Sequence, residues 1–384
     1  MIPTRVERRV TPEHLYLHVP FCLRRCSYCD FAVTATRQPP IDAWLDAVAA
    51  ELELRQRIGG WSRLALRTIY IGGGTPSLLG EGTMERLRDV LARFADWDGS
   101  VEWTAEANPE TFTAGLAGDW ARAGVNRISL GAQTFSPEAL AWMGRLHGPD
   151  GPARAVDAAR AAGIDNVSVD LIFALPSRVS RDWGEDLRRA LELETEHISL
   201  YGLTAEAATP LGRWVAEGRE VLPDEDRYAE EYLMACETLD AAGFVHYEVS
   251  NFARPGRESR HNRAYWEHRP YLGIGPGAHS FEPPVRSWNV RDWAEYQQRL
   301  AGGESPEAGR EELSAADEQL ERVWLGLRAS PGLDLGLLSG SQRSRVERWE
   351  REGWAGRRDG RIQLTRQGWL LLDRLAVELA GAHG

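Results

Sequence analysis

Three of the four cysteines in this 384-residue chain fall within eight residues, as Cys22, Cys26 and Cys29 of HVPFCLRRCSYCDFAV (18–33). Four cysteines in such a length form no disulfide framework, and a tight group of thiols in a reducing cytoplasm reads as metal binding. Three thiolates from one loop can hold three irons of a cubane cluster, whereas ferredoxin-type clusters take four cysteines. The fourth iron is then open to another ligand. The competing reading is a zinc site with His14 or His18 as fourth ligand, but zinc sites usually join two separated pairs of ligands rather than one compact triplet. Cys236 lies in RYAEEYLMACETL, where Tyr228, Tyr232, Ala235, Cys236 and Leu239 follow helical spacing. That pattern predicts a buried, inert thiol.

Further polar candidates follow at intervals. GGGTPS (72–77) allows close approach of backbone to a ligand. Glu106 and Asp170 have the acceptor pairs that suit ribose hydroxyls, Gln133 adds an amide, and Arg145 in MGRLH can pair with a carboxylate. HNRAYW (261–266) sets His261 beside the aromatic Tyr265 and Trp266, with Arg254, Arg257, Arg260 and Arg263 around it. On one histidine alone, the plain reading is a loop residue hydrogen-bonded to backbone, with the aromatic neighbours covering a barrel flank.

The elements that must position these residues alternate. Strands are predicted at 15–19, 66–71, 101–107, 127–132, 166–173 and 197–203, with helices at 41–57, 82–95, 111–122, 136–160 and 182–193. Strand–helix alternation over some 200 residues implies a parallel sheet, whose ligands gather past the strand C-termini. The cysteine loop, the glycines, Glu106 and Gln133 fall at such ends, and Asp170 lies in the fifth strand. A segment rich in Arg, Gly and Pro at 253–284 breaks the alternation, with a further strand expected at 246–252. After Leu313 come helix-like stretches around 320–327 and 341–354, an Asp-Gly turn in RRDGRIQLT and a last helix at 367–379, a pattern resembling a small winged-helix-like module.

Composition excludes several classes. Net charge is −12, against broad nucleic-acid binding. All 45 basic residues are Arg, so lysine Schiff-base and ordinary P-loop lysine chemistry are absent. No apolar run approaches a membrane span, and MIPTRVERRV lacks the features of a signal peptide.

Cys-x3-Cys-x2-Cys after the first strand resembles the radical S-adenosylmethionine (SAM) superfamily, and Tyr28 between the last two cysteines fits its pattern. The resemblance implies a 4Fe–4S cluster whose open iron is chelated by the amino and carboxylate groups of SAM, with electron transfer giving a 5′-deoxyadenosyl radical. In order, LYLHVPFC, YIGGGTPSLL, EANPE, RISLGAQTF, DLIFALP and HNRAYW resemble the oxygen-independent coproporphyrinogen III oxidase family over about 14–280. Carried over position by position, this assigns Tyr16, Gly73, Gly74, Thr75, Glu106, Gln133, Arg145 and Asp170 to SAM. Two departures favour the HemW branch, whose members act as haem chaperones, over an active coproporphyrinogen dehydrogenase. Phe31 stands where the oxidase has a fourth cysteine, and 21 residues precede Cys22 where the oxidase carries a long segment. His261, Asn262, Tyr265 and Trp266 match that branch's H-N-x-x-Y-W signature. The resemblance implies His261 as an axial haem ligand, Tyr265 and Trp266 against a porphyrin face, and the neighbouring arginines on the propionates, with His268 and His279 as alternative ligands.

The expectation is therefore an open partial (β/α)6-type barrel over 1–285, followed by an accessory module over 286–384. It implies a cytoplasmic protein binding cluster, SAM and haem. Its partners would be a haem acceptor and, if SAM is cleaved, an electron donor, with no nucleic acid and no membrane span. The alternatives are a coproporphyrinogen III oxidase and, more distantly, a radical-SAM enzyme acting on RNA.

Overall fold

The structure is a computed structural model that describes residues 11–380. The N-terminal stretch read above for a signal peptide lies outside the described residues, as do the outer ends of the two expected domains. Six strands run parallel in chain order: β1 (His14–Val19), β2 (Thr68–Gly73), β3 (Glu102–Ala107), β4 (Arg127–Gln133), β5 (Asn166–Phe173) and β6 (His197–Gly202). The expected strands are found, displaced by two residues at most. The short antiparallel pair β7 (Val245–Glu248) and β8 (Asn251–Ala253) extends the β6 edge. It replaces the single strand expected at 246–252. β9 (Leu272–Ile274) lies parallel to β1 at the opposite edge. The sheet thus keeps two distinct edges, as an open partial barrel requires.

Each parallel strand has two unlike faces, because side chains alternate along it. One face carries Leu15, Leu17, Ile69, Ile71, Trp103, Ile128, Leu130, Val169, Ile198 and Leu200, all essentially inaccessible. It packs on the helices, and each such side chain contributes roughly 1.5–3 kcal/mol. The other face is polar: His14, Tyr16 and His18 on β1, Thr68 and Tyr70 on β2, Glu102, Thr104 and Glu106 on β3, Ser129 on β4, Asp170 on β5. The register places them side by side across the sheet. The polar lumen is therefore written into the alternation.

The helix expected over 136–160 is two helices, α1 (Pro137–Met143) and α2 (Gly151–Ala161). Gly144 ends the first at φ 76°, and Gly148, Pro149 and Pro152 follow within eight residues. A left-handed glycine satisfies the last carbonyls and turns the chain away. The break places Arg145 at the barrel mouth.

The segment 260–266, expected as loop, is helix α3 (Arg260–Trp266). Ser259 caps it through the Asn262 N–H, and the Glu102 carboxylate accepts the N–H groups of Arg260 and His261, each at 2.9 Å. These bonds satisfy donors that a helix start leaves open. Next come β10 (His279–Glu282), β11 (Val285–Asn289) and β12 (Glu307–Glu312), one antiparallel sheet. The domain boundary expected after 285 falls inside this hairpin. Beyond it, α4 (Ala315–Arg328), a three-stranded sheet and further helices form the C-terminal module, with the expected hairpin at Ala355–Arg358 and Arg361–Leu364. No described helix is long and apolar enough to cross a membrane.

Candidate functional site

A cavity of about 410 Å³ opens at the C-terminal ends of β2 to β6. The three clustered cysteines line one wall. Gly73, Gly74, Thr75, Glu106, Gln133, Arg145 and Asp170 line the rest, so seven of the eight positions assigned to SAM converge here. The eighth does not: Tyr16 lines a neighbouring cavity, its hydroxyl 3.0 Å from His18 Nδ1. Tyr16 lies two residues before His18 on the same face of β1, further from the mouth.

The cysteine loop is fixed by bonds from outside it. The Thr34 and Thr36 N–H groups donate to the carbonyls of Pro20 and Cys22. Thr75 Oγ1 donates to Cys22 Sγ at 3.4 Å, and the Asn108 side-chain amide donates to Thr75 Oγ1 at 3.2 Å. Arg145 donates to Asn108 Oδ1 and to the Gly131 carbonyl, each at 2.7 Å, and reaches Cys26 Sγ at 4.0 Å. A continuous chain of polar contacts thus joins Cys22 to Cys26. Gly74 makes room for it: a Cβ there would lie 2.5 Å from the Phe21 carbonyl oxygen and 2.6 Å from that of Val19. Gly73 has φ 104°, a left-handed conformation natural only to glycine.

Opposite the cysteines, Glu106 accepts from Tyr70 Oη at 2.8 Å and the Gly73 N–H at 2.9 Å. Burial pushes its carboxyl up to about 7, and the nearby Asp170 acts in the same direction. Asp170 accepts from Ser129 Oγ at 3.1 Å, and burial raises its pKa too. Gln133 ends β4 at φ 67°, beyond a register shift in the β4–β5 ladder. Such strain in a non-glycine residue collects at functional positions.

These residues fit the expected groups. The three thiols are free and half-buried, while burial lifts the Cys22 thiol to about 11. Metal coordination is what would displace such a proton. Among the described residues no three His, Cys, Asp or Glu side chains converge to hold a single ion. A cubane needs no such convergence, because each thiolate binds its own iron. Arg145 Nε is buried without a partner beside the cysteines, a donor facing a place that an anionic ligand would satisfy. Cys236 is fully buried on its helix, 4.0 Å from His246 Nδ1 and apart from the cavity.

The signature segment divides. His261 is fully buried. Its Nδ1 is 2.7 Å from Thr68 Oγ1, and its Nε2 is 2.7 Å from Tyr265 Oη. Both ring nitrogens are engaged and the side chain lines neither cavity, which counts against the expected axial ligand at 261. The competing reading, a loop histidine bonded to backbone, is not what is found either: the residue lies in a helix and both of its partners are side chains. Asn262 lines neither cavity, and its N–H serves the Ser259 cap. Arg254 and Arg260 turn to the strand N-termini, bonding the Ala242 and Ser100 carbonyls. Arg263 pairs with Glu267. None of these arginines, nor Arg257, lines either cavity. Tyr265 and Trp266 do line a second, larger cavity of about 750 Å³, together with His268 and His279.

Asn108, Ser129 and Tyr70 are site residues that sequence reasoning missed. Asn108 stood within the EANPE motif, and Ser129 and Tyr70 share strand parity with Asp170 and Glu106 through the ladder register. Phe31, where the oxidase pattern has its fourth cysteine, is 61% exposed and lines both cavities.

Known proteins resemble this chain in family and fold. Residues 16–190 match the family model for the radical SAM superfamily. The chain is 39% identical to a protein named heme chaperone HemW from Mycobacterium tuberculosis, covering 96% of this chain and 95% of that one. It is 35% identical to a heme chaperone HemW from Bacillus subtilis, over 83% and 84% of the two chains. The fold matches coproporphyrinogen III oxidase (HemN) from Escherichia coli with a TM-score of 0.81 at 21% identity, over 97% of this chain and 91% of that one. The chain belongs to the radical SAM superfamily and, within it, to the HemW family.

Proposed function

We propose that this protein is a haem chaperone: it holds a 4Fe–4S cluster on Cys22, Cys26 and Cys29, binds SAM in the mouth of the barrel, and carries haem to an acceptor protein. Phe31 carries the choice of chaperone over oxidase. The position that is cysteine in the oxidase pattern presents here an exposed aromatic ring between two cavities. The near full-length likeness to relatives named heme chaperones supports the same choice.

Cluster and SAM supply one-electron chemistry when bound. The chain's own residues orient them. Gly73 and Gly74 let backbone approach the amino-acid end of SAM, Arg145 faces its carboxylate, and Glu106 and Asp170 accept from ribose hydroxyls. Gln133 and Thr75 complete the polar wall. The cytoplasm, where thiols remain reduced, suits such a loop. Within this reading the barrel forms one domain, and the module following the hairpin sheet is its accessory.

Anaerobic reconstitution, addition of SAM and reductant, and parallel assays of hemin binding and coproporphyrinogen turnover test the proposal. Hemin should bind, and decarboxylation should stay at the level of a cluster-free control. Sustained protoporphyrinogen formation above that control would establish the oxidase instead.

A further inference from the structure

We propose that the second cavity is the haem site and that His279, not the signature histidine, supplies the axial nitrogen. The proposal rests on the haem-carrying function above and assigns its place and ligand. The cavity lies between β1, α3, the β10–β11 hairpin and α4, and its volume of about 750 Å³ suits a large flat ligand. Haem is a flat apolar disc with two carboxylates on one edge and an iron open above and below its plane. Tyr265, Trp266, Tyr271 and Phe281 supply aromatic walls, and Trp324 closes the side formed by the C-terminal module.

Three histidines line this space. His18 has both ring nitrogens engaged, with Tyr16 Oη at 3.0 Å and the Ala32 carbonyl at 2.8 Å. His268 holds Glu321 at 3.1 Å through Nε2. His279 is exposed, and neither ring nitrogen has a hydrogen-bond partner among the described residues. It shares a strand face with Phe281, another lining residue.

Its backbone, by contrast, is locked. Gly273 admits the His279 carbonyl oxygen where a Cβ would lie only 2.0 Å from it. Ser280 Oγ accepts the Gly273 N–H at 2.9 Å, and Tyr271 and Phe281 exchange two backbone bonds of 2.9 Å. The ring stacks on Trp288 across the hairpin, with centroids 5.9 Å apart, and leaves both nitrogens unbonded. An unbonded imidazole held by its backbone and one ring face is the arrangement that a pre-organised ligand needs. Burial and the nearby Arg286 and Arg291 lower its pKa, keeping the imidazole in the neutral, ligating form.

Arg291 offers a partner for a propionate. Its side chain is 62% exposed; one guanidinium nitrogen bonds the Asp30 carbonyl and lies 3.5 Å from the Asp30 carboxylate, which leaves its other donors for an anion. Arg286 is already shared between Glu311 and Glu321. Asp30, Phe31 and Glu206 line both cavities, so haem held here lies beside the cluster loop.

The experiment is hemin titration of the full, anaerobically reconstituted chain, followed by its Soret band and by electron paramagnetic resonance of the ferric haem. His279→Ala should lose the parent's ligation signature and bind about tenfold or more weakly, with iron–sulfur content and SAM affinity unchanged. Added imidazole should restore the signature. His268→Ala and His261→Ala should keep it. A parent-like spectrum and affinity in His279→Ala would overturn the assignment, as would loss of the signature in His268→Ala alone. Failure of the parent chain to bind hemin at all would defeat the chaperone function itself, and the ligand assignment with it.

Discussion

The two cavities adjoin at Phe31 yet are built differently. The barrel mouth is shaped by backbone: glycines without room for a Cβ, and a relay of polar contacts from Cys22 through Thr75, Asn108 and Arg145 to Cys26. The second cavity is nearly twice the volume, walled by aromatic side chains, and contains a histidine ring with no hydrogen bond. Cofactors that must be aligned atom by atom need fixed donors. A cargo that must leave again is better held by one coordinate bond and broad apolar contact. On the proposed chaperone function, chemistry belongs to the first cavity and carriage to the second.

The strongest way to break the comparison is at the thiols. Cys26→Ala should abolish the cluster, leaving anaerobically reconstituted protein without its iron and broad visible absorption. Cys236→Ser should reconstitute like the parent, because that thiol is buried on a distant helix. Equal iron loss in both would remove the three-cysteine assignment.

Next is the backbone. Gly74→Ala forces a Cβ against two carbonyl oxygens and should eliminate measurable SAM binding in equilibrium dialysis. Hemin affinity should persist, because the second cavity does not use Gly74. Joint loss of both ligands would mean that the cavities are not separate devices.

A smaller effect is expected from Glu106. Its folded pKa of about 7 lies above the ordinary 4.5, so the folded state holds more protons between those values. The group's contribution to stability therefore declines as pH rises from about 4.5 to 7, by on the order of 3 kcal/mol. Glu106→Gln should remove that decline, read from urea midpoints across the same window. Identical pH slopes in variant and parent would show that the carboxyl is not buried as described.

The smallest effect is at His261. His261→Ala strands the Tyr265 hydroxyl and should cost about 2 kcal/mol, visible in urea unfolding, whereas Thr68 keeps His14 Nδ1 at 2.9 Å. No loss of stability would contradict its place as the anchor of α3.

The sequence made the mouth readable for a physical reason. Its parts lie at the ends of successive strands, and a parallel sheet brings successive strand ends together whatever the loops do. Cys22, Gly73, Glu106, Gln133 and Asp170 could therefore be grouped from alternation alone, with the resemblance supplying their roles. Arg145 could be named from its chemistry but not placed by the alternation, since the glycine break that delivers it was hidden inside an apparently continuous helical stretch.

The sequence by itself determined the barrel, the thiol loop and the polar face of each strand. Period-2 alternation and cysteine spacing are local properties, complete within a few residues. Tertiary structure alone decided which histidine of the second cavity keeps both ring nitrogens unbonded. His261 meets Thr68 across 193 positions of chain. A lone pair is free or occupied according to what packs beside it, and those neighbours come from distant segments that only the folded chain brings into contact.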